Sequence, residues 1–126
     1  IECLSRGAEN VIFTENYQGV LSVLKKNLIN LKCTNNYKII EKDIYKENTL
    51  LLLNELFDII FLDPPYKDKN LEKIFLSIKK ANILKKNGII ILHRHKNEKD
   101  FIPNNFKIVE EKKYGISKIK FISLLN

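Results

Sequence analysis

The apolar run 57–62, "FDIIFL", halts at "DPPY", residues 63–66, and no other stretch limits the fold of this chain so closely. The run reads as a strand buried on both of its faces. Two consecutive prolines remove backbone donors and fix φ, so the ladder cannot continue past Leu62. Residues 63–66 are therefore expected to form a stiff loop whose carbonyls are left to accept hydrogen bonds.

Strands and helices are expected to alternate around that junction. Residues 10–15 read as a strand, and in 16–31 the residues Tyr17, Val20, Leu21, Leu24, Leu28 and Leu31 recur at spacings of three and four, the mark of one helical face. A second strand is predicted over 37–43, a short helix over 48–56, and the strand 57–62 follows. The next helix, 69–84, carries Leu71, Ile74, Phe75 and Ile78 on one face, with Gly88 in "KKNG" suited to a positive-φ cap. Residues 89–94 read as a fourth strand, and 106–125 as two strands joined by a tight turn near Tyr114 and Gly115. Residues 1–9 have the pattern of the last turns of a helix, capped by Gly7.

This order predicts an α/β fold: right-handed βαβ units, a parallel sheet with helices on both faces, and an antiparallel hairpin at one edge. Ligands of such sheets bind beyond the carboxyl ends of the strands. Glu15, Asp43, Asp63 and the segment from His93 stand there, so three of the four strands finish on a carboxylate.

With 126 residues the chain suits a single domain, 1–126, and its 44% hydrophobic and 29% charged residues are those of an ordinary folded protein. Cys3 and Cys33 lack the spacing of a disulfide framework or a zinc site, so no metal is expected. The apolar runs fall far short of the roughly 20 residues that span a bilayer, and the first residues carry no signal-peptide pattern. A cytoplasmic protein without a membrane partner is the expectation. A formal charge of +7 favours a polyanion through phosphate contacts and counterion release.

The loop 63–66 suggests a particular chemistry. The lone pair of an exocyclic amino group on a nucleobase is delocalised into the ring. A methyl acceptor of that kind must therefore be positioned and have its N–H bonds drawn by acceptors. Asp63 and the Pro64 carbonyl offer two acceptors, and Tyr66 offers a flat face for stacking the base. The plainer reading is a proline turn in which Asp63 caps the helix that follows.

The loop resembles motif IV of class I S-adenosylmethionine-dependent amino-methyltransferases. Together, "IECLSRGAENVIFTE", "LKKNL", "FDIIFLDPPY" and "YGISKIKF" resemble the RsmD family, which methylates a guanine N2 in small-subunit (16S) ribosomal RNA. The resemblance runs over nearly the whole chain and implies a Rossmann-like methyltransferase sheet. It also implies roles by position. Glu15 with Asn16 binds the ribose hydroxyls of S-adenosyl-L-methionine, Asp43 and Ile44 lie at its adenine, and Asp63 adjoins the cofactor. Asp63, Pro64 and Tyr66 are the catalytic residues. Pro65 and Tyr66 meet the substrate. Independently of the resemblance, Arg94, with His93, His95 and Lys96 past the fourth strand, is a candidate for binding the substrate through RNA phosphates, and a solvated polar loop is the plainer reading of that segment. The implied partner is ribosomal RNA or an assembling small ribosomal subunit, met by a monomer. Adenine-N6 methylation of DNA or RNA, or a non-catalytic RNA-binding module on the same scaffold, are the alternatives.

One departure stands out. The family places a strand and a glycine-rich loop before the "LSRGA" helix, and an RNA-contacting arm before that. The glycines here are Gly7, Gly19, Gly88 and Gly115, and no Gly-x-Gly occurs. The chain is expected to be an N-terminally incomplete methyltransferase domain whose sheet lacks its first strand.

Overall fold

The computed structural model describes residues 1–31, 36–46, 49–64 and 70–125. The chain divides into two compact units, Ile1–Thr49 and Leu50–Asn126. Cys33, Pro65, Tyr66 and the start of the helix predicted from residue 48 lie outside the described residues.

In the first unit a short helix α1 (Glu2–Ser5) ends at Arg6, and Gly7 follows at φ 91°, the cap expected of it. Strand β1 (Val11–Thr14), helix α2 (Gln18–Asn30) and strand β2 (Tyr37–Ile40) form a βαβ unit in which β1 and β2 pair in parallel, Val11 beside Tyr37 and Thr14 beside Ile40. The expected apolar face of α2 is narrower than its spacing suggested. Leu21 and Leu28, two turns apart, are buried, whereas Tyr17 and Val20 are exposed. Tyr17 stands before the helix as its N-cap, so it does not share the helical stripe. Strand β2 stops short of residue 43 because Asp43 opens a turn: its carbonyl accepts from the Lys46 N–H at 3.2 Å and its Oδ1 from the Tyr45 N–H at 2.9 Å.

The second unit begins with one 3-10 turn at Leu50–Leu52 in place of the short helix expected over 48–56. Strand β3 (Phe57–Leu62), helix α3 (Leu71–Ala81) and strand β4 (Leu84–His95) make a second parallel unit, followed by β5 (Phe106–Tyr114) and β6 (Ser117–Leu124). The sheet order is β3-β4-β6-β5, with β6 antiparallel to both of its neighbours. The hairpin turns at Gly115, φ 56°, the first of its two central residues, as a type II′ turn requires. The α/β class with parallel crossovers and a C-terminal antiparallel hairpin is thus the fold the sequence predicted.

Leu71, Ile74, Phe75 and Ile78 supply the buried face of α3. Leu62, Ile90, Leu92, Ile122 and Phe106 are buried at alternate positions of the sheet, and Phe75 meets Phe106 edge to face with centroids 5.2 Å apart. The other side of β3 departs from expectation. Ile59 and Phe61, two residues apart and so on one face of the strand, are 54% and 59% exposed. The strand is therefore not buried on both faces.

The junction between α3 and β4 also differs. Asn82, at φ 52° and ψ 50°, takes the left-handed position that ends α3, and asparagine tolerates it through its short polar side chain. Gly88 lies inside β4. There Phe57 faces Leu84 and Ile59 faces Ile89, so the extra residues bulge out of β4. A Cβ on Gly88 would stand 2.5 Å from Leu84 Cδ1 and 3.0 Å from the Lys85 carbonyl. Because Leu84 is buried, its side chain has little room to yield. Gly88→Ala is expected to cost about 1–3 kcal/mol of stability, read as a lower denaturation midpoint.

Candidate active site

The sequence-predicted site residues fall on both units. In the first, Glu15 directly follows β1, and its N–H donates to the Ile40 carbonyl at 3.1 Å, which continues the parallel ladder by one bond. The Glu15 side chain turns toward the start of α2, and Oε1 accepts from the N–H groups of Asn16 and Tyr17, each at 3.1 Å. Two backbone donors orient the carboxylate while Oε2 keeps its lone pairs for hydroxyl donors. On the neighbouring strand, Asp43 and Ile44 are half-buried in the turn after β2. The Thr49 hydroxyl donates to the Asp43 carbonyl at 2.6 Å, which closes that turn. Glu15 and Asp43 thus lie past the carboxyl ends of two adjacent parallel strands.

In the second unit, Asp63 follows the last paired residue of β3, and Pro64 ends the ladder after it. The Asp63 side chain is 54% exposed, and its Oδ1 lies 3.0 Å from Nδ1 of His93. His93 occupies β4 directly after Leu92, the partner of Leu62, and is not in a polar loop beyond the strand. Sequence reasoning put His93 near the site without placing it on Asp63. A signal was present: the runs "IIFLD" and "IIILH" line up residue for residue from Ile59 beside Ile89, which sets Asp63 next to His93.

Arg94 corrects an expectation. Its side chain is only 1% exposed, and its guanidinium forks onto Asp100, Nε to Oδ2 at 2.9 Å and Nη2 to Oδ1 at 3.0 Å. A Glu98 carboxylate oxygen lies 3.6 Å from Nη2. Alternation explains the reversal: His93 and Arg94 point to opposite faces of β4, and the arginine takes the buried one. A guanidinium enclosed in this way holds the β4–β5 connection instead of meeting RNA phosphates. Lys118, across from Arg94 on β6, donates to the Glu98 carbonyl. Burial pushes the pKa of Lys118 down from 10.5, and repulsion from Lys120 adds to the effect.

Residues 1–123 match the family described as "Conserved hypothetical protein 95". The chain belongs to this family of RsmD-like class I methyltransferases. Among curated relatives, Ribosomal RNA small subunit methyltransferase D of Haemophilus influenzae is 32% identical over 120 residues. That match takes in 91% of this chain, which spans only 60% of the relative's length. A solved Haemophilus influenzae structure superposes with a TM-score of 0.79 at 30% identity, covering 99% of this chain and 78% of its own. The S-adenosylhomocysteine-bound methyltransferase of Podospora anserina has a TM-score of 0.72 at 14% identity over 97% of this chain and 64% of its own, which speaks to fold.

Within this RsmD-like chain Asp63 and Pro64 stand directly beyond the carboxyl end of a parallel strand, the position at which Rossmann-like sheets place their chemistry. Among the described residues no group of three or more His, Cys, Asp or Glu could hold a metal ion, and no helix is long and apolar enough to cross a membrane.

Proposed function

We propose that this protein transfers a methyl group from S-adenosylmethionine to the exocyclic N2 of a guanine in small-subunit ribosomal RNA. The observation that carries the reading is the end of β3, where Asp63 presents a carboxylate just past the last paired residue and Pro64 follows it. Membership of the RsmD-like family and the ribosomal RNA methyltransferase among its relatives support the substrate class. The formal charge of +7 suits a phosphate-rich partner.

The residues fit the cofactor by their chemistry. Glu15, already oriented by two N–H groups, has an oxygen left for ribose hydroxyls, and the half-buried Asp43 and Ile44 pair an acceptor with an apolar surface suited to an adenine. When bound, the cofactor supplies an electrophilic methyl on a sulfonium. Asp63 and the Pro64 carbonyl accept the two N–H bonds of the guanine amine, direct its nitrogen lone pair along the line of attack, and stabilise the positive charge that develops on it. Tyr66 stacks on the base and Pro65 stiffens the loop. Extruding the base from its stack costs a few kcal/mol, which contacts with the RNA offset.

The test is methyl transfer by the full-length protein from radiolabelled S-adenosylmethionine to small-subunit ribosomal RNA and to small-subunit particles, with the product nucleoside identified by mass spectrometry. N2-methylguanosine is expected. N6-methyladenosine would move the reading to the adenine-directed alternative. RNA binding with neither methyl transfer nor S-adenosylhomocysteine binding would leave a non-catalytic RNA-binding module.

A further inference from the structure

We propose that His93 is a positioning residue for Asp63, holding its carboxylate in the orientation that an amine methyl acceptor requires; this rests on the methyltransferase reading above. Asp63 sits at a place where the backbone gives it little support. The β3–β4 pairing ends at Leu62 beside Leu92, and Pro64 has no N–H with which to brace the turn. An exposed aspartate on such a stub has two free torsions and samples several rotamers. An acceptor that must meet one particular N–H loses rate in proportion to the time it spends elsewhere.

His93 supplies what the turn lacks. It belongs to β4, which is paired with β3 on one side and with β6 on the other, where His93 faces Ile119. Its imidazole is 26% exposed, about half the exposure of the Asp63 side chain, and it shares the sheet face of Ile91. At 3.0 Å, Nδ1–H donating to Oδ1 fixes the carboxylate plane and occupies one oxygen, which leaves Oδ2 to accept from the substrate. His93 therefore acts through Asp63 and does not itself touch the base.

The geometry distinguishes two substitutions that are otherwise alike. The side-chain amide nitrogen of asparagine occupies the place of imidazole Nδ1, whereas that of glutamine reaches the place of Nε2. In the full-length protein, His93→Ala is expected to lower kcat for RNA methylation by about ten-fold or more, because a displaced carboxylate is costly to alignment. S-adenosylhomocysteine affinity and KM for RNA should stay within about two-fold, which also shows that the variant is folded. His93→Asn should recover most of the lost rate and His93→Gln should not. A His93→Ala protein as fast as wild type, or equal impairment of the asparagine and glutamine variants, overturns the role of His93 and leaves the methyltransferase reading standing. A wild-type protein that transfers no methyl group to any RNA overturns that reading and the role of His93 with it.

Discussion

Replacing Asp63 with alanine is expected to lower methyl transfer by roughly 10²-fold or more, while S-adenosylhomocysteine affinity changes by less than about three-fold. The asymmetry follows from position. Asp63 stands directly past β3 with its side chain 54% exposed, so its loss removes an acceptor and opens no cavity. Its remaining neighbour, His93, is itself partly exposed and is not left as an unpaired buried charge. Calorimetric titration beside a single-turnover assay separates the two quantities. Equal loss of binding and transfer would sink the assignment of Asp63 to the base and move it to the cofactor. Unchanged transfer would restore the plainer view of Asp63 as a turn residue.

The second large effect concerns stability. Asp100→Ala is expected to destabilise the protein by about 3–5 kcal/mol, because it removes the carboxylate that the enclosed Arg94 guanidinium forks onto, and the Glu98 carboxylate lies farther away at 3.6 Å. The Asp100 side chain is 6% exposed, so water cannot readily replace it. The exposed Lys25–Glu41 pair, at 2.8 Å, makes the contrast: Glu41→Ala should cost no more than about 1 kcal/mol despite the shorter distance. Denaturant titration of the two variants gives the comparison directly. A near-neutral Asp100→Ala would mean that Arg94 finds other partners when released.

Much of the fold was legible because periodicity and backbone chemistry act locally. The strands at Phe13, Ile60 and Ile90, the helices through Leu24 and Ile78, and the hairpin at Gly115 all stand where alternation and turn residues put them. Pro64 and Pro65 marked the end of β3 because proline removes a donor whatever surrounds it. The errors have a common origin. Gly88 was expected to end α3 at positive φ, but Asn82 does so, because a left-handed residue is required where the helix stops and β4 begins immediately afterwards. Gly88 is instead needed for the close approach of Leu84, a contact that no local pattern encodes.

The candidate site divides along the same line. Glu15, Asp43 and Asp63 could be found from sequence because each follows an apolar run, and the carboxyl ends of parallel strands are where an α/β chain places polar groups. Arg94 and His93 could not be sorted by residue type. They are adjacent and both basic, and the alternation of β4 sends Arg94 inward to Asp100 while His93 turns to Asp63. Which face of a strand is buried, and which side chain meets its partner across a register, are set by pairing between segments distant in sequence. The order of elements, the hairpin and the end of the β3 ladder at Leu62 follow from the sequence, since these depend on dihedral limits and hydrogen-bonding groups carried by each residue. Only the tertiary structure decided that Arg94 is a buried structural cation and His93 a partner of Asp63, because strand register and sheet burial arise when the chain packs.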